Sequence, residues 1–314
     1  MNFRAFIYYC ALCGAWCAII SWFPGRLSEY LNSTIAQAGI KGLCLGLFLA
    51  LGLSTLDAAW NLSLRQFIQI GLRITVAVIV GLIGGMVGGI IGQALANLMI
   101  LIKVPLLVAP FSVLGWALTG LLIGASLGIC EMATALMFGQ DPSGAMKKIF
   151  KGVIGGSIGG LLGGTLSILL GGLLARLLSN RPSDELWLPS ATGFTILGAC
   201  IGLLIGITQV ILKEAWIKIE KGRRAGREIL VTKNEIVLGR AESCDIGLFG
   251  DNGVEKVHAR IKQQRDGYLL TDMGSPGGTY VNGRRVDQPT LLQSGDQIQL
   301  GGTVLRFGER ARRK

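Results

Sequence analysis

The chain has 314 residues, of which 51% are hydrophobic and 16% charged, with a formal net charge of +11 and a mean hydropathy of +0.55. Soluble domains carry about 25% charged residues, so the composition excludes an ordinary soluble globular protein and points to residence in a membrane. No Lys/Arg stripe is interleaved with aromatics, which argues against a nucleic-acid partner for the positive charge.

A spanning helix needs about 20 apolar residues. Six runs meet that requirement: 5–23, 35–55, 74–102, 106–138, 153–178 and 191–212. The first begins after Arg4, is long, and is followed by no small-x-small cleavage site, so it reads as an uncleaved span. Within it Cys10, Cys13 and Cys17 share one helical face. They read either as a thiol or metal cluster or as small residues in a helix contact. Packing is favoured, because zinc would want polar surroundings and a fourth ligand. The four other cysteines suggest no disulfide framework, and no metal or cofactor is expected.

Lys and Arg set the expected orientation. Lys213, Lys218, Lys221, Arg223, Arg224 and Arg227 follow the sixth run, Lys147, Lys148 and Lys151 precede the fifth, and Arg65 and Arg73 precede the third. Six spans put these on one side together with Arg4, and that side is cytoplasmic by the positive-inside rule. Arg26, Lys41, Lys103, Arg176 and Arg181 fall on the other side. The basic stretch up to Arg227 reads as juxtamembrane sequence facing anionic lipid.

The apolar part repeats itself. Gly46-Ala50-Ser54 leads to Asp57, Gly120-Gly124-Gly128 to Glu131, and Gly198-Gly202-Gly206 to Gln209. Spacings of four, four and three keep each set on one helical face. The glycines of 84–92 resemble those of 155–164. The pattern predicts hairpin repeats from runs two and three and runs four and five, then run six with the following β module in place of its partner helix. Small residues let helices approach closely where lipid supplies little hydrophobic drive. Gly85, Gly89, Gly156, Gly160 and Gly164 are therefore expected at helix contacts. Internal repeats also occur in proteins that move solutes, which keeps a pore or transport path open as an alternative. Asp57 and Glu131 are read as pairing near the cytoplasmic ends, with Arg65 and Lys147 further along the chain.

From Trp216 the pattern changes to short strands and tight turns. Residues 216–220 alternate, Asp266-Gly267 and Asn282-Gly283 are hairpin signals, and 297–300 and 303–307 flank Gly301-Gly302. Such spacing implies a sandwich or barrel.

An ordered series runs through this part: Gly239-Arg240, Asp245-Ile246, Val254 to His258-Ala259, Asp272 to Gly278-Thr279, Val281-Asn282-Gly283, Gly295-Asp296 and Phe307. By these residues the segment 215–309 resembles the forkhead-associated (FHA) domain. The resemblance implies an eleven-strand β-sandwich whose loops at one end bind phosphothreonine peptides. It also implies the following roles. Arg240 contacts peptide and phosphate, for which the planar guanidinium fork is suited. Glu255 stands where the family has a phosphate-binding serine, and Lys256 where it has an arginine. His258 is a structural brace. Ser275 and Thr279 belong to the second binding loop, Gly277 replaces an asparagine, and Asn282 holds peptide backbone. A carboxylate at Glu255 opposes a phosphate: one charge pair at about 4 Å is worth about 4 kcal/mol at an effective dielectric of ~20.

The expected organisation is a polytopic membrane domain of six spans over 1–213, an FHA-like β-sandwich over 214–309, and a basic tail at 310–314. No catalytic constellation stands out, so no enzyme is expected. The first functional reading is a docking scaffold at the cytoplasmic face of a bacterial inner membrane, downstream of a Ser/Thr kinase. Its partner is a phosphothreonine-containing protein, an unphosphorylated or acidic one, or another copy of the chain. The alternative is a small transporter or channel regulated by a degenerate module.

Overall fold

The apolar runs fold into six long helices: α1 (Phe3–Arg26), α2 (Thr34–Asn61), α3 (Phe67–Leu101), α4 (Val108–Met137), α5 (Ser143–Leu177) and α6 (Trp187–Ile211). The structure, a computed structural model, describes residues 3–61, 67–137, 143–178, 187–211, 215–231, 234–242, 244–264 and 267–309. Arg65, Phe138, Arg181, Leu212, Lys213, Asp266 and the tail 310–314 lie outside them. Each of the six helices is long and apolar enough to cross a membrane. Several basic residues expected in loops are helical instead: Arg73 on α3, Lys147, Lys148 and Lys151 on α5, and Arg26 and Lys41 on α1 and α2. The 35 residues of α5 make a helix about 52 Å long, whereas a hydrocarbon core is about 30 Å thick, so the helix has room for a polar first stretch.

The helices close into a ring. Each packs against its chain neighbours, α1 completes the circle against α6, and α2 also touches α4 and α6. The neighbours meet backbone to backbone. A Cβ on Gly85 would strike the carbonyl of Gly42, and one on Gly156 that of Gly120; Gly89 lies against Ala38 and Gly164 against Trp116. The third pair differs from expectation: Gly198 and Gly202 of α6 lie against Gly14 and Cys10 of α1. The helix from the start of the chain, rather than the β module, supplies the partner. A spacing of four along Cys10, Gly14 and Ala18 gives α1 the flat face this requires. Cys13 and Cys17 meet Gly52 of α2, so all three cysteines of α1 lie at helix contacts.

Replacing Gly160 with Leu should destabilise the ring by about 1–3 kcal/mol, because a Cβ there meets the carbonyl of Trp116 and comes within 2.8 Å of Ala117 Cα. Gly172 has nothing within 4 Å, and Leu at that position should change thermal unfolding in detergent little. Equal melting temperatures for the two variants would contradict the packing.

The centre of the ring is aliphatic. Leu45, Leu49, Ile123, Leu197, Ile201 and Ile205 are all at most 1% exposed. At one end of this core lie the polar residues of the three repeats: Glu131 and Gln209 are buried, 8% and 5% exposed, and Asp57 is half-buried. Lys148 Nζ lies 2.5 Å from Asp57 Oδ2 and 3.0 Å from Glu131 Oε2. The ammonium that joins the two acids thus comes from α5, one helical turn inside a stretch that sequence reading placed in a loop.

Among the described residues eleven strands follow: β1 (Ala215–Lys221), β2 (Glu228–Val231), β3 (Glu235–Gly239), β4 (Ile246–Gly247), β5 (Ala259–Gln264), β6 (Gly267–Asp272), β7 (Thr279–Val281), β8 (Arg284–Arg285), β9 (Thr290–Leu292), β10 (Gln297–Leu300) and β11 (Thr303–Glu309). They form two sheets, β2-β1-β11-β10-β7-β8 and β4-β3-β5-β6-β9, packed over a shared core that includes Ile217, Leu238, Leu270 and the Tyr268–Phe307 ring pair. The turn between β7 and β8 has Asn282 and Gly283 at φ 51° and 79°, the two positive values that a tight two-residue hairpin needs.

Strand alternation also attaches the sandwich to the ring. Ile217 and Ile219 point into the sandwich core, so Trp216 points the other way. Trp216 and Leu230, cross-strand partners in β1 and β2, pack on the helical core. Lys147 Nζ donates to Gln263 Oε1 at 3.2 Å, near the β5–β6 turn. The start of β1 and the end of β5 therefore mark the end of the sandwich that faces the helices. Lys218 and Lys221 are on β1 and Arg223, Arg224 and Arg227 beyond it. At about 3.3 Å per residue, the seven residues of β1 carry that basic turn about 23 Å from the ring. This corrects its reading as juxtamembrane sequence, which followed from closeness along the chain.

Candidate functional site

Loops collect at the end of the sandwich remote from the helices. β3 ends at Gly239, and Arg240 begins the next loop with its N–H donating to the carbonyl of Glu255 at 2.8 Å. Ala241 N–H donates likewise to Lys256 O at 3.0 Å. Glycine is required at 239, where a Cβ would meet the carbonyl of Lys256. The β4–β5 segment is thereby stitched along the Arg240 loop, and the side chains of Arg240 and Lys256 are exposed beside a half-buried Glu255. Among the described residues, none of the three side chains has an ion-pair partner.

His258 holds this segment to the next loop. It is fully buried. Its Nδ1 accepts from Glu255 N–H at 3.0 Å, which leaves the ring proton on Nε2, 3.3 Å from Gly278 O. One imidazole with a donor at one nitrogen and an acceptor at the other thus braces two loops.

Asp272 organises the β6–β7 loop. It accepts from Ser275 Oγ at 2.6 Å, Thr279 Oγ1 at 2.5 Å, and the N–H groups of Gly274 and Ser275. Ser275 and Thr279 are buried, 4% and 0% exposed, and their hydroxyl protons point at Asp272. They shape the loop from beneath. Burial would raise the Asp272 carboxyl, but the hydroxyls of Ser275 and Thr279 and the two amides outweigh it and hold the group below the usual range. A depressed folded-state value stabilises above the unfolded one. The contribution should be complete above about pH 4 and be lost as pH falls below it. Asp272→Asn should flatten that part of the acid-unfolding profile; an unchanged profile would contradict the assignment.

Gly277 is exposed and lies beside Gly253: a Cβ on it would be 3.5 Å from Gly253 O, an ordinary contact. Gly278 has φ 69°, and the Arg285 guanidinium lies against it. Arg285 was missed in the sequence. It follows the Asn-Gly turn, and only the short return of β8 brings it back to this loop. It also approaches Asp287 at 3.7 Å, an exposed pair that constrains it little.

Asn282 is placed elsewhere. Its Nδ2 donates to Asp296 Oδ1 at 2.8 Å and its Oδ1 accepts from Gln297 N–H at 2.9 Å. Gln297 pairs with Arg306 at the middle of β11, and Asp296 accepts from Phe307 N–H on the helix-facing side of that point. The Asn282 amide closes a turn at the opposite end of the sandwich from Arg240, which corrects the expectation that it holds peptide. The reason is the three-residue β7, which carries the chain away from the site.

The arrangement is a shallow rim with Arg240, Lys256 and Arg285 around exposed backbone, opposed by one carboxylate. It has the donors to grip a phosphate-bearing segment and, among the described residues, no paired acid and base.

Comparison with known proteins bears on the sandwich. The model of the FHA domain family matches residues 236–301. The chain is 36% identical over 93 residues to the oxoglutarate dehydrogenase inhibitor of Corynebacterium jeikeium, covering 30% of this chain and 63% of that protein. It is 31% identical over 124 residues to the glycogen accumulation regulator GarA of Mycolicibacterium smegmatis, covering 40% of this chain and 73% of that one. The first match thus spans less than two thirds of the relative's length. A solved FHA domain studied for phosphothreonine-dependent interactions is 27% identical, covering 32% of this chain and all of that one, with a TM-score of 0.29.

Proposed function

Because the chain belongs to the FHA-domain family, we propose that it is a membrane-anchored docking scaffold whose sandwich reads phosphothreonine segments of partner proteins at the cytoplasmic face. The observation that carries this reading is the direction of the site: Arg240, Lys256 and Arg285 gather at the end of the sandwich opposite Trp216, the residue that seats it on the helices. A partner approaching from the aqueous phase meets the rim first. The outer surface of the ring supports the membrane assignment. Trp16, Ile83, Leu114, Leu162 and Leu169 are all at least 48% exposed, an apolar girdle that a soluble monomer would not leave in water.

The transport alternative has less support. The axis is filled by fully buried Leu and Ile, and the buried acids share Lys148 instead of lining an opening. Proximity labelling from the sandwich in native membranes tests the docking reading. The wild-type chain should label a small set of phosphoproteins on the cytoplasmic side, and Arg240→Ala should lose them. An identical set with Arg240→Ala would contradict it.

A further inference from the structure

We propose that the preferred ligand is an acidic phosphothreonine segment, and that Arg223 and Arg224 of the β1–β2 turn form a second anionic subsite beside the phosphate rim. The proposal rests on the phosphothreonine reading above and adds the chemical class of the flanking sequence. The turn is joined to the site by the β4–β5 segment. Arg224 stacks over the ring of Phe249, 4.9 Å from its centroid, and the Arg223 side chain runs along Gly250, whose Cβ would come within 3.2 Å of its Nη1. Five residues further on, the same segment reaches Glu255, whose carbonyl receives Arg240 N–H. Five residues span at most about 18 Å, so an extended peptide of about five residues bridges the two arginine groups.

The ground between them is bare backbone. Gly253 and Gly277 are both exposed, neither has a positive φ, and a Cβ on Gly277 would have only Gly253 O near it, at 3.5 Å. Two acids close to this strip are engaged by neighbouring hydroxyls and amides, whereas Glu255 keeps its carboxylate at the rim. Asp251 accepts from Thr303 Oγ1 at 2.7 Å and Gly253 N–H at 3.0 Å, and Asp272 accepts from Ser275 and Thr279. Glu220, at the end of β1, is held by Arg306 at 2.7 Å. Arg223 and Arg224 have no ion-pair partner among the described residues. Two guanidinium groups fixed along one strip suit carboxylates or a second phosphate. The turn is at the far end of β1 from the helices, so the lipid of its own bilayer is not what it faces.

The test uses the full chain in nanodiscs and fluorescence anisotropy with three peptides. One carries phosphothreonine with neutral flanks, one phosphothreonine with Asp or Glu three to five residues away on either side, and one the acidic flank with unphosphorylated threonine. The acidic phosphopeptide should bind about tenfold tighter than the neutral one, with a gain that shrinks as salt is raised. Arg223→Gln with Arg224→Gln should remove the gain and leave the neutral phosphopeptide unchanged. Arg223→Gln alone, which keeps the stacking on Phe249, should remove part of it. A gain that survives both substitutions overturns the subsite. If no phosphopeptide binds but the acidic peptide does, and the double substitution abolishes this, the subsite stands and the phosphothreonine reading falls. Arginine-dependent binding to phosphatidylserine vesicles, with no peptide effect, would reassign the turn to lipid and overturn the proposal.

Discussion

Replacing Lys148 with Met should destabilise the helical ring by about 3–5 kcal/mol, the usual penalty for removing one partner of a buried ion pair. The side chains of Lys148, Asp57 and Glu131 are 10%, 13% and 11% exposed. Without the ammonium, two carboxylates from different helices remain close together in a poorly hydrated site. Two effects then add: mutual repulsion and desolvation that this ammonium no longer offsets. The asymmetry of buried pairs supplies the control. Replacing all three with uncharged residues of similar volume, Lys148→Met with Asp57→Asn and Glu131→Gln, should recover most of the loss. Thermal unfolding in detergent and the yield of folded protein read both variants. A single Lys148→Met variant as stable as wild type would show that the three groups do not depend on one another. Failure of the triple variant to recover would mean the cluster has a duty beyond balancing charge.

Reverting Glu255 to Ser should tighten binding of a phosphothreonine peptide by more than tenfold, about 1.4 kcal/mol. The backbone of this residue is fixed independently of its side chain, through Arg240 N–H on its carbonyl and His258 Nδ1 on its amide. The substitution therefore exchanges a carboxylate for a hydroxyl donor without moving the loop. The rest of the rim is basic, so removing the one opposing charge acts on a site already arranged for an anion. Gly277→Asn should add to the gain, since a side chain there meets nothing closer than an ordinary contact. Arg240→Ala should abolish it in either background. Calorimetry on matched wild-type and Glu255→Ser chains decides the matter, and equal affinities would mean that Glu255 is turned away from the bound phosphate.

The sequence was most legible where periodicity and geometry coincide. A small residue every fourth position has one efficient use between helices, so the contacts of Gly85 and Gly156 could be anticipated. Asn282-Gly283 has one efficient backbone conformation, so the β7–β8 turn could be too. Legibility failed where a side chain's surroundings come from elsewhere in the chain. Lys148 reads as a loop residue on hydropathy, because hydropathy does not register that two acids on other helices neutralise it. The partner of α6 was sought downstream, because the face that α1 turns to it has one glycine, Gly14, and presents Cys10 and Ala18 in place of the others. Residue type was right but location wrong for Asn282, since local motifs do not state which end of a sandwich a short strand reaches. Arg285 illustrates the converse: nothing in its neighbours marks it, and only the β7–β8 return places it against Gly278. For Arg223 and Arg224, nearness to the last apolar helix in sequence concealed the length of β1 that separates them from it.

The most direct measurement is phosphate-dependent binding by the intact chain. Wild-type protein in nanodiscs, and the Glu255→Ser variant beside it, would be titrated with a degenerate phosphothreonine peptide library and with the same library unphosphorylated. The account predicts binding that requires the phosphate, strengthens in Glu255→Ser and disappears in Arg240→Ala, with all three proteins equally folded. If neither wild type nor Glu255→Ser retains any phosphopeptide, the sandwich does not read phosphothreonine and the central claim is contradicted.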